Sequence, residues 1–591
     1  MTKTLPAFAA ALITAALFAL PARAADETPA AKAKRIAQAQ VDRIPTADLG
    51  NGYYRNPILV GPGADNSVIR VGKDFYMTVG GNTIWHSRDL VNWRAAARVP
   101  MTGLEFTYYK GKYYVYTFRG GSGGPDPKNA HLSWSQKTLL GTTSLTGGDQ
   151  TFSFYVSYAD SIDGPWSVPS EIGFYGMIDP GFAADQDGNR YLFSNMGLLA
   201  HLTPDGLHAV GDLKQVYKGW SYPKEWNVEC PCLEAPKPFF LDGYYYLSSA
   251  QGGTGGPSTA HMGIVARARS LEGPWENSPY NPVIRTWSRD EKWVRQGHGT
   301  FIDDIEGNWW FVYTGYENGY EFMGKQAMLL PVEWTADGWP RVKPGVKPTD
   351  TLQKPAGENV GNGLPLSDDF TSEQLGWQWR AGVGGGRGGA AMGAAPAGGR
   401  GGAAGRGGAP GQAPAGAGAG RGGAVPSPGA GAPAGGRGGT VANVRVGGGS
   451  LRLTAAGTVG DIASAASGPA GVSITPLNHD YTVEVEVTAA EKAEGGLLLS
   501  GTSRSVNAGV RKGEAFAFWQ GVPISAPWKD NHLFVRVRNN SGDISVAYSA
   551  DGKSWTPFDN STSAPGVRGI SLYAAGEGEV VFKNFKYRGL D

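Results

Sequence analysis

From residue 51 to about 350 the chain is a succession of short apolar runs, each opened by a glycine turn. "GKDFYMT" at 72–78, "GKYYVYT" at 111–117, "GNRYLFS" at 188–194, "GYYYLSS" at 243–249 and "GNWWFVY" at 307–313 share one design. Each is a turn glycine followed by aromatic and β-branched residues able to form a strand. A second set of echoes closes the units: "SRDLVNW" at 87–93, "ADSIDGPW" at 159–166 and "RSLEGPW" at 269–275. A polar turn followed by Trp suits a hairpin between outer strands. Helical periodicity is hardly visible here. Five repeats of a four-stranded unit predict an all-β, five-bladed β-propeller over 51–350, with insertions in the loops accounting for the uneven spacing. An ordinary β-sandwich with five independent Gly-aromatic strands is the competing arrangement.

The pattern changes near 362. "LPLSDDFTSEQLGWQWRA" leads into a Gly/Ala/Pro/Arg tract at 382–440, after which strand-like runs resume with "SLRLTA", "YTVEVEVTA", "GGLLLSG", "HLFVRVRN", "ISVAYSADGKSWTPF" and "EVVFKNFKY". Alternating apolar and polar residues with polar turns predict an antiparallel β-sandwich over 362–591. The tract has too little apolar surface to fold, so a disordered insert at 382–440 is expected. Its Arg-Gly-Gly steps occur in RNA-binding tails as well. A solvated loop interrupting the sandwich fits better, because strand-like sequence lies on both sides.

The repeat also exposes candidate chemistry. In a propeller blade the strand before the turn glycine is the innermost one. Asp65 lies seven residues before Gly72, while Asp179, Glu234 and His298 each lie nine before Gly188, Gly243 and Gly307. Four of five blades thus present an ionisable side chain at an equivalent place around one axis. The second blade breaks the pattern with Thr102-Gly103-Leu104-Glu105. Taken singly, each acid also suits a turn or a strand end; the shared register sets them apart. Glycoside hydrolysis needs a protonated acid on the leaving oxygen and a carboxylate that attacks or activates water. The two must differ in pKa, and a third carboxylate can hold the proton on the acid.

At these residues the chain resembles glycoside hydrolase family 43, five-bladed propellers that act with inversion. The resemblance covers about 50–350. "NPILVGPGADNSVIRVGKDFYMT" is similar to the family's opening strand, which makes Asp65 the general base. "IWHSRDLVNW" at 84–93 is close to its next hairpin, which puts Trp85 forward as a substrate contact. "GMIDPGFAADQDGNRYL" implies Asp179 as pKa modulator, and "LEAPKPFFLDGYYYLSSAQGGT" implies Glu234 as general acid. "GHGTFIDDIEGNWWFVYTG" resembles the last blade, whose axial histidine, here His298, contacts substrate and can hold a calcium ion or water in a structural role. "LLPVEWTADGWPRV" resembles the closing strands. The chemistry itself requires no cofactor. The order of the C-terminal strands is similar to the concanavalin-like, jelly-roll domain of β-xylosidase-like members.

Three departures bear on the sugar rather than the acids. Asn66 follows Asp65 where the family has Pro. The Trp-Ala-Pro of the second blade is absent near 102–105. Gly324-Lys325 stands where β-xylosidase-like members have Gly-Arg, which replaces a planar bidentate contact to substrate by a point charge at Lys325. The implied activity is hydrolysis of plant cell-wall pentosides, β-D-xylosides first and α-L-arabinofuranosides or arabinan second. The base and acid carboxyls are then expected about 6.5–9.5 Å apart. A sugar-binding propeller without catalysis is the rival from another class.

Composition constrains the setting. Lys+Arg number 53 against 52 Asp+Glu, so no long-range field draws the chain to nucleic acid or an anionic membrane. Eighteen Trp, 25 Tyr and 22 Phe suit both sheet cores and sugar-stacking walls. Lys3, an apolar run from Ala7 to Leu20 and the small-x-small Ala22-Arg23-Ala24 predict a signal peptide over 1–24, hence an exported protein whose partner is an oligo- or polysaccharide. Residues 25–50 are expected to form a flexible leader. Cys230 and Cys232 are separated by one proline; a bridge would close a very small ring, so free, buried thiols are expected.

Overall fold

The computed structural model describes residues 37–38, 40–63, 65–120, 152–175, 178–383, 444–458, 469–502, 504–519 and 522–591. The expected signal peptide and nearly all of the Gly-rich insert lie outside the described residues. Within them no helix is long and apolar enough to cross a membrane.

The five aromatic runs form the second strands of five antiparallel sheets. Blade one holds Asn66–Val71, Asp74–Val79, Thr83–Ser87 and Arg94–Arg98; blade two holds Glu105–Tyr109, Lys112–Gly120, Phe152–Ala159 and Ser170–Tyr175. Blade three holds Gly181–Ala184, Arg190–Ser194, Leu198–Leu202 and Ala209–Gln215. Blade four runs from Leu233–Leu241 through Tyr244–Gln251 and Met262–Ala268 to Glu276–Asn277 and Ile284–Arg285. Blade five holds Trp293–Asp303, Trp309–Glu317 and Lys325–Trp334. Its outer strand comes from the start of the propeller: Leu59–Gly63 pairs with Lys325–Trp334 and closes the ring. The first strands of the blades touch one another in cyclic order, which makes them the axis.

Alternation along the second strands explains the aromatic motif. In blade one, Phe75 and Met77 pack into the seam with blade five, beside Trp310 and Val312. Tyr76, between them, faces Phe106, Tyr113 and Val115 of blade two. Tyr114 and Tyr116 then meet Phe182 and Leu192 of blade three. Tyr191 and Phe193 meet Tyr245 and Leu247 of blade four, and Tyr246 meets Phe311 and Tyr313 of blade five. A two-residue period thus feeds two seams at once, and bulky side chains at every position fill both.

The C-terminal region is two seven-stranded antiparallel sheets around one core. Tyr481, Val483, Val485 and Val487 point inward while Thr482, Glu484 and Glu486 alternate outward. Arg380–Ala381 belongs to one sheet and Val444–Gly447 to the other, so strands of the sandwich precede and follow residues 384–443. The sandwich docks on the propeller through Glu317, whose carboxylate lies 3.0 Å from His479 Nε2, and through Tyr320, which stacks on the His479 ring at 3.9 Å.

Two expectations are corrected. Residues 40–50 are not a flexible leader. Asp42 is fully buried and accepts hydrogen bonds from the backbone N–H groups of Leu366 and Ser367; Asp48 binds Lys354 at 2.5 Å. Those two carboxylates tie the segment to the protein, a role its Ala-rich, polar composition concealed. Cys230 and Cys232 are joined in a disulfide, and both side chains are part-exposed rather than buried.

Candidate active site

Five of the six predicted residues, all but Trp85, meet at one end of the axis. Asp65 stands immediately before the inner strand of blade one and Asp179 two residues before that of blade three. Glu234 is the second residue of Leu233–Leu241, and His298 lies midway along Trp293–Asp303. The backbone is bent to aim them. Asp179, Ala235 and His298 have φ of 55°, 53° and 52°, the left-handed region that costs a non-glycine residue about 1 kcal/mol or more. The inner strands of blades four and five also shift register between Glu234 and Lys237 and around Gly297, bulges of the kind that redirect a side chain. Gly181 allows the Asp179 and Glu234 segments to meet: a Cβ there would fall 2.0 Å from the Pro236 carbonyl oxygen.

The electrostatics divide the acids. Lys325 pairs across the closing strand with Gly63, which brings its Nζ to 2.7 Å from Asp65 Oδ1; His298 Nδ1 lies 2.9 Å from the same oxygen. Oδ2 of Asp65 has no hydrogen-bond partner among the described residues. Burial would raise the Asp65 carboxyl, but His298 and Lys325 together hold it well below the usual range. His298 is itself pushed down to about 4 by burial, so near neutrality it is an uncharged N–H donor and Lys325 is the cation. Glu234 is pushed up to about 7 by burial, with Asp65 and Glu229 adding to the rise against the pull of Lys325. Asp179 is buried, accepts a hydrogen bond from the Ala235 N–H at 3.3 Å, and is raised well above its usual value by burial and by the charges of Asp65 and Glu234. One end of the site therefore holds an ionised carboxylate and the other a carboxylic acid, an arrangement suited to paired proton transfer.

Trp85 is not part of this group. It sits on the third strand of blade one and lines a cavity of about 130 Å³ against the sandwich, with Ile58, Val79, Trp377 and Leu477. The hairpin resemblance placed it in sequence, but the strand carrying it lies two removed from the axis.

Blade two does supply a charge, one that counting from the turn glycine missed. Glu105, the first residue of its inner strand, binds Lys237 Nζ at 2.5 Å and accepts hydrogen bonds from Ser67 Oγ and the Phe182 N–H. Both partners are buried, so this pair ties blades one to four together rather than facing substrate. A lysine within the apolar "LEAPKPFFL" was its one sequence signal. His261, also missed, is fully buried behind the site; its Nδ1 is 3.1 Å from the Arg295 carbonyl oxygen, and burial pushes it down to about 3.

Asp65, Asp179 and His298 offer ligand atoms within 4.8 Å of one another. They suit calcium poorly: the set has two carboxylates and a ring nitrogen where calcium takes six to eight oxygens. An ammonium already occupies Asp65 Oδ1.

An axial carboxylate, a carboxylic acid and a third buried acid on a five-bladed propeller define a site of the glycosidase type. Residues 54–340 match the model of Glycosyl hydrolases family 43. It is 32% identical over 353 residues to a non-reducing end α-L-arabinofuranosidase of Bacteroides ovatus, an alignment spanning 56% of this chain and 61% of that one. It is 28% identical over 356 residues to a xylan 1,3-β-xylosidase of Vibrio sp., spanning 51% and 59%. The chain thus spans about three-fifths of the length of these relatives. Among solved structures, the GH43 BlXynB protein from Bacillus licheniformis superposes with a TM-score of 0.68 at 21% identity, covering 91% of this chain and all of the other, which shows the fold.

Proposed function

We propose that the protein hydrolyses pentosides of plant cell-wall polysaccharides, β-D-xylosides first, with inversion at the anomeric carbon. The observation that carries this reading is the split of ionisation between Asp65 and Glu234. Asp65 takes a proton from water through its open Oδ2 while Lys325 and His298 hold Oδ1. The water oxygen bonds to the anomeric carbon as the bond to the leaving oxygen breaks, and Glu234 gives its proton to that oxygen. Asp179 accepts a hydrogen bond from the Ala235 N–H and so fixes the backbone beside Glu234. α-L-arabinofuranosides are the second reading, favoured by the name of the Bacteroides ovatus relative.

The test is turnover of p-nitrophenyl β-D-xyloside, α-L-arabinofuranoside and β-D-galactoside, with xylobiose as the natural-type substrate. Glu234→Gln should depress xylobiose turnover far more than that of the p-nitrophenyl glycoside, whose leaving group needs little protonation. NMR of the first-formed product should show the inverted anomer; a retained anomer overturns the assignment of Asp65 as base. Saccharide binding with no turnover of any substrate would mark a sugar-binding propeller instead. Export is proposed on the same footing from Lys3 and the Ala7–Leu20 run, and N-terminal sequencing of the mature protein, expected to begin near Ala25, tests it.

A further inference from the structure

We propose that Trp226, Arg285 and Trp287 form a further saccharide subsite, binding a glycosyl unit beyond the two that flank the cleaved bond; this rests on the reading of a glycan substrate. Arg285 is 7% exposed, its Nε has no hydrogen-bond partner, and it makes no ion pair among the described residues. Its guanidinium lies 4.0 Å from the centre of the Trp226 ring and 5.0 Å from that of Trp287. The two indoles meet edge to face at 5.4 Å, and Trp287 is 62% exposed. A buried, unpaired guanidinium is costly to a folded protein, and cation–π contact offsets only part of that cost. A sugar supplies both missing partners: hydroxyl oxygens that accept from guanidinium N–H groups, and a C–H face that stacks on the open indole.

The platform is held rather than loose. The Glu291 carboxylate, whose charge acts on Arg285 without forming an ion pair, is engaged by the backbone N–H groups of Trp287 and Ser288 at 2.7 and 2.9 Å, which fixes the Trp287 turn. The platform also lies at the same end of blade four as Glu234. Met262 pairs with Gln251 on one side and Arg285 on the other, and Gln251 pairs with Leu233, the neighbour of Glu234. The Gln251 amide exchanges two hydrogen bonds of 3.1 Å with the Trp220 backbone, and Trp220 meets Trp226 at 5.8 Å. Between Trp226 and Glu234 the chain is pinned by the Cys230–Cys232 bridge and by Glu229, whose carboxylate accepts from the Gly255 and Gly256 N–H groups. The segments that deliver Glu234 and His298 therefore also carry the two tryptophans.

The experiment is calorimetric titration of the Glu234→Gln protein with xylobiose, xylotetraose and arabinotetraose, with and without Trp287→Ala. A tetrasaccharide should bind more tightly than the disaccharide, and Trp287→Ala should remove roughly three- to tenfold of that advantage, the worth of one ring contact. Trp287→Phe, which keeps a ring, should restore most of it. Equal affinities for long and short saccharides, losses that fall equally on both, or no binding at all would overturn the subsite. Turnover of the unmodified protein separates this from the larger reading: hydrolysis without a chain-length preference removes only the subsite, and chain-length-dependent binding without hydrolysis removes only the enzyme.

Discussion

The sandwich core and the propeller axis are both interiors of antiparallel sheets, yet they treat polar groups in opposite ways. Buried polar residues on the sandwich strands are neutral, as at Ser473, Asn507, Asn539 and Ser571. Around the axis Glu105, Asp179, Lys237, His261 and His298 are all buried. Each buried ionisable group costs stability unless paired and hydrogen-bonded, so a sheet built only to persist excludes them, as the sandwich does. The axis keeps five, and the part-exposed Asp65 and Glu234 stand among them. That contrast separates a scaffold from a site more sharply than either hydrophobic pattern.

The largest effect expected from breaking the contrast is chemical. Asp65→Asn keeps the shape of the side chain and its contacts with Lys325 and His298 but removes the base. Turnover of the best glycoside should fall by about 10²–10⁴ with circular dichroism unchanged. A loss under tenfold would place the base elsewhere.

Next comes the buried pair of Glu105 and Lys237. Lys237→Met leaves Glu105 facing Ser67 and the Phe182 N–H without its cation, and removing one partner of a buried pair costs about 3–5 kcal/mol. Urea unfolding should register that loss, whereas Ser571→Ala in the sandwich, a neutral change, should register about 1 kcal/mol. Equal losses would mean that the axis is no more electrostatically loaded than the sandwich.

A smaller effect separates the two acids by pH. The folded value of Glu234, about 7, lies above its ordinary 4.5. The folded state thus binds the extra proton, and stability falls as pH rises from about 4.5 to 7. Asp65 behaves oppositely: its depressed folded value adds stability above the unfolded value, lost only as pH falls through the folded one. Glu234→Gln should abolish the first slope and stabilise the protein at pH 8 by on the order of 2 kcal/mol, measured as a rise in Tm that shrinks toward pH 4. The activity profile should show the same pair, with an alkaline limb near 7 from Glu234.

What the chain discloses follows from how local each signal is. The glycine turn and the two-residue alternation act within one hairpin, so the blades and the carboxylates at a fixed distance from each turn could be read directly. Glu105 starts its strand six residues before Gly111 rather than nine, and its partner Lys237 is 132 positions away. No local rule links them. Ring closure by Leu59–Gly63 escaped for the same reason: a strand's partner is chosen by topology. Trp85 shows the converse, a local resemblance that was followed to a residue whose strand faces the sandwich. Asp42 and Asp48 look like solvated leader residues until Leu366, Ser367 and Lys354 come round to meet them.

The smallest expected effect lies where the two regions touch. Burial alone would lower His479, but the Glu317 carboxylate, and Asp591 behind it, hold it above its ordinary value. Its proton therefore contributes stability that is fully present below the unfolded value of about 6.5 and is lost as pH rises through the folded one. Both side chains retain some contact with water, so the pair is worth about 1 kcal/mol at most. His479→Gln should lower Tm slightly at pH 5.5 and progressively less toward pH 8.5. Because Glu317 ends the strand whose hairpin partner begins at Lys325, kcat/KM should also be followed over that range. A drop in activity at unchanged Tm would show that the docked sandwich positions Lys325 on Asp65, and a drop in Tm alone would show that the interface merely holds the two regions together.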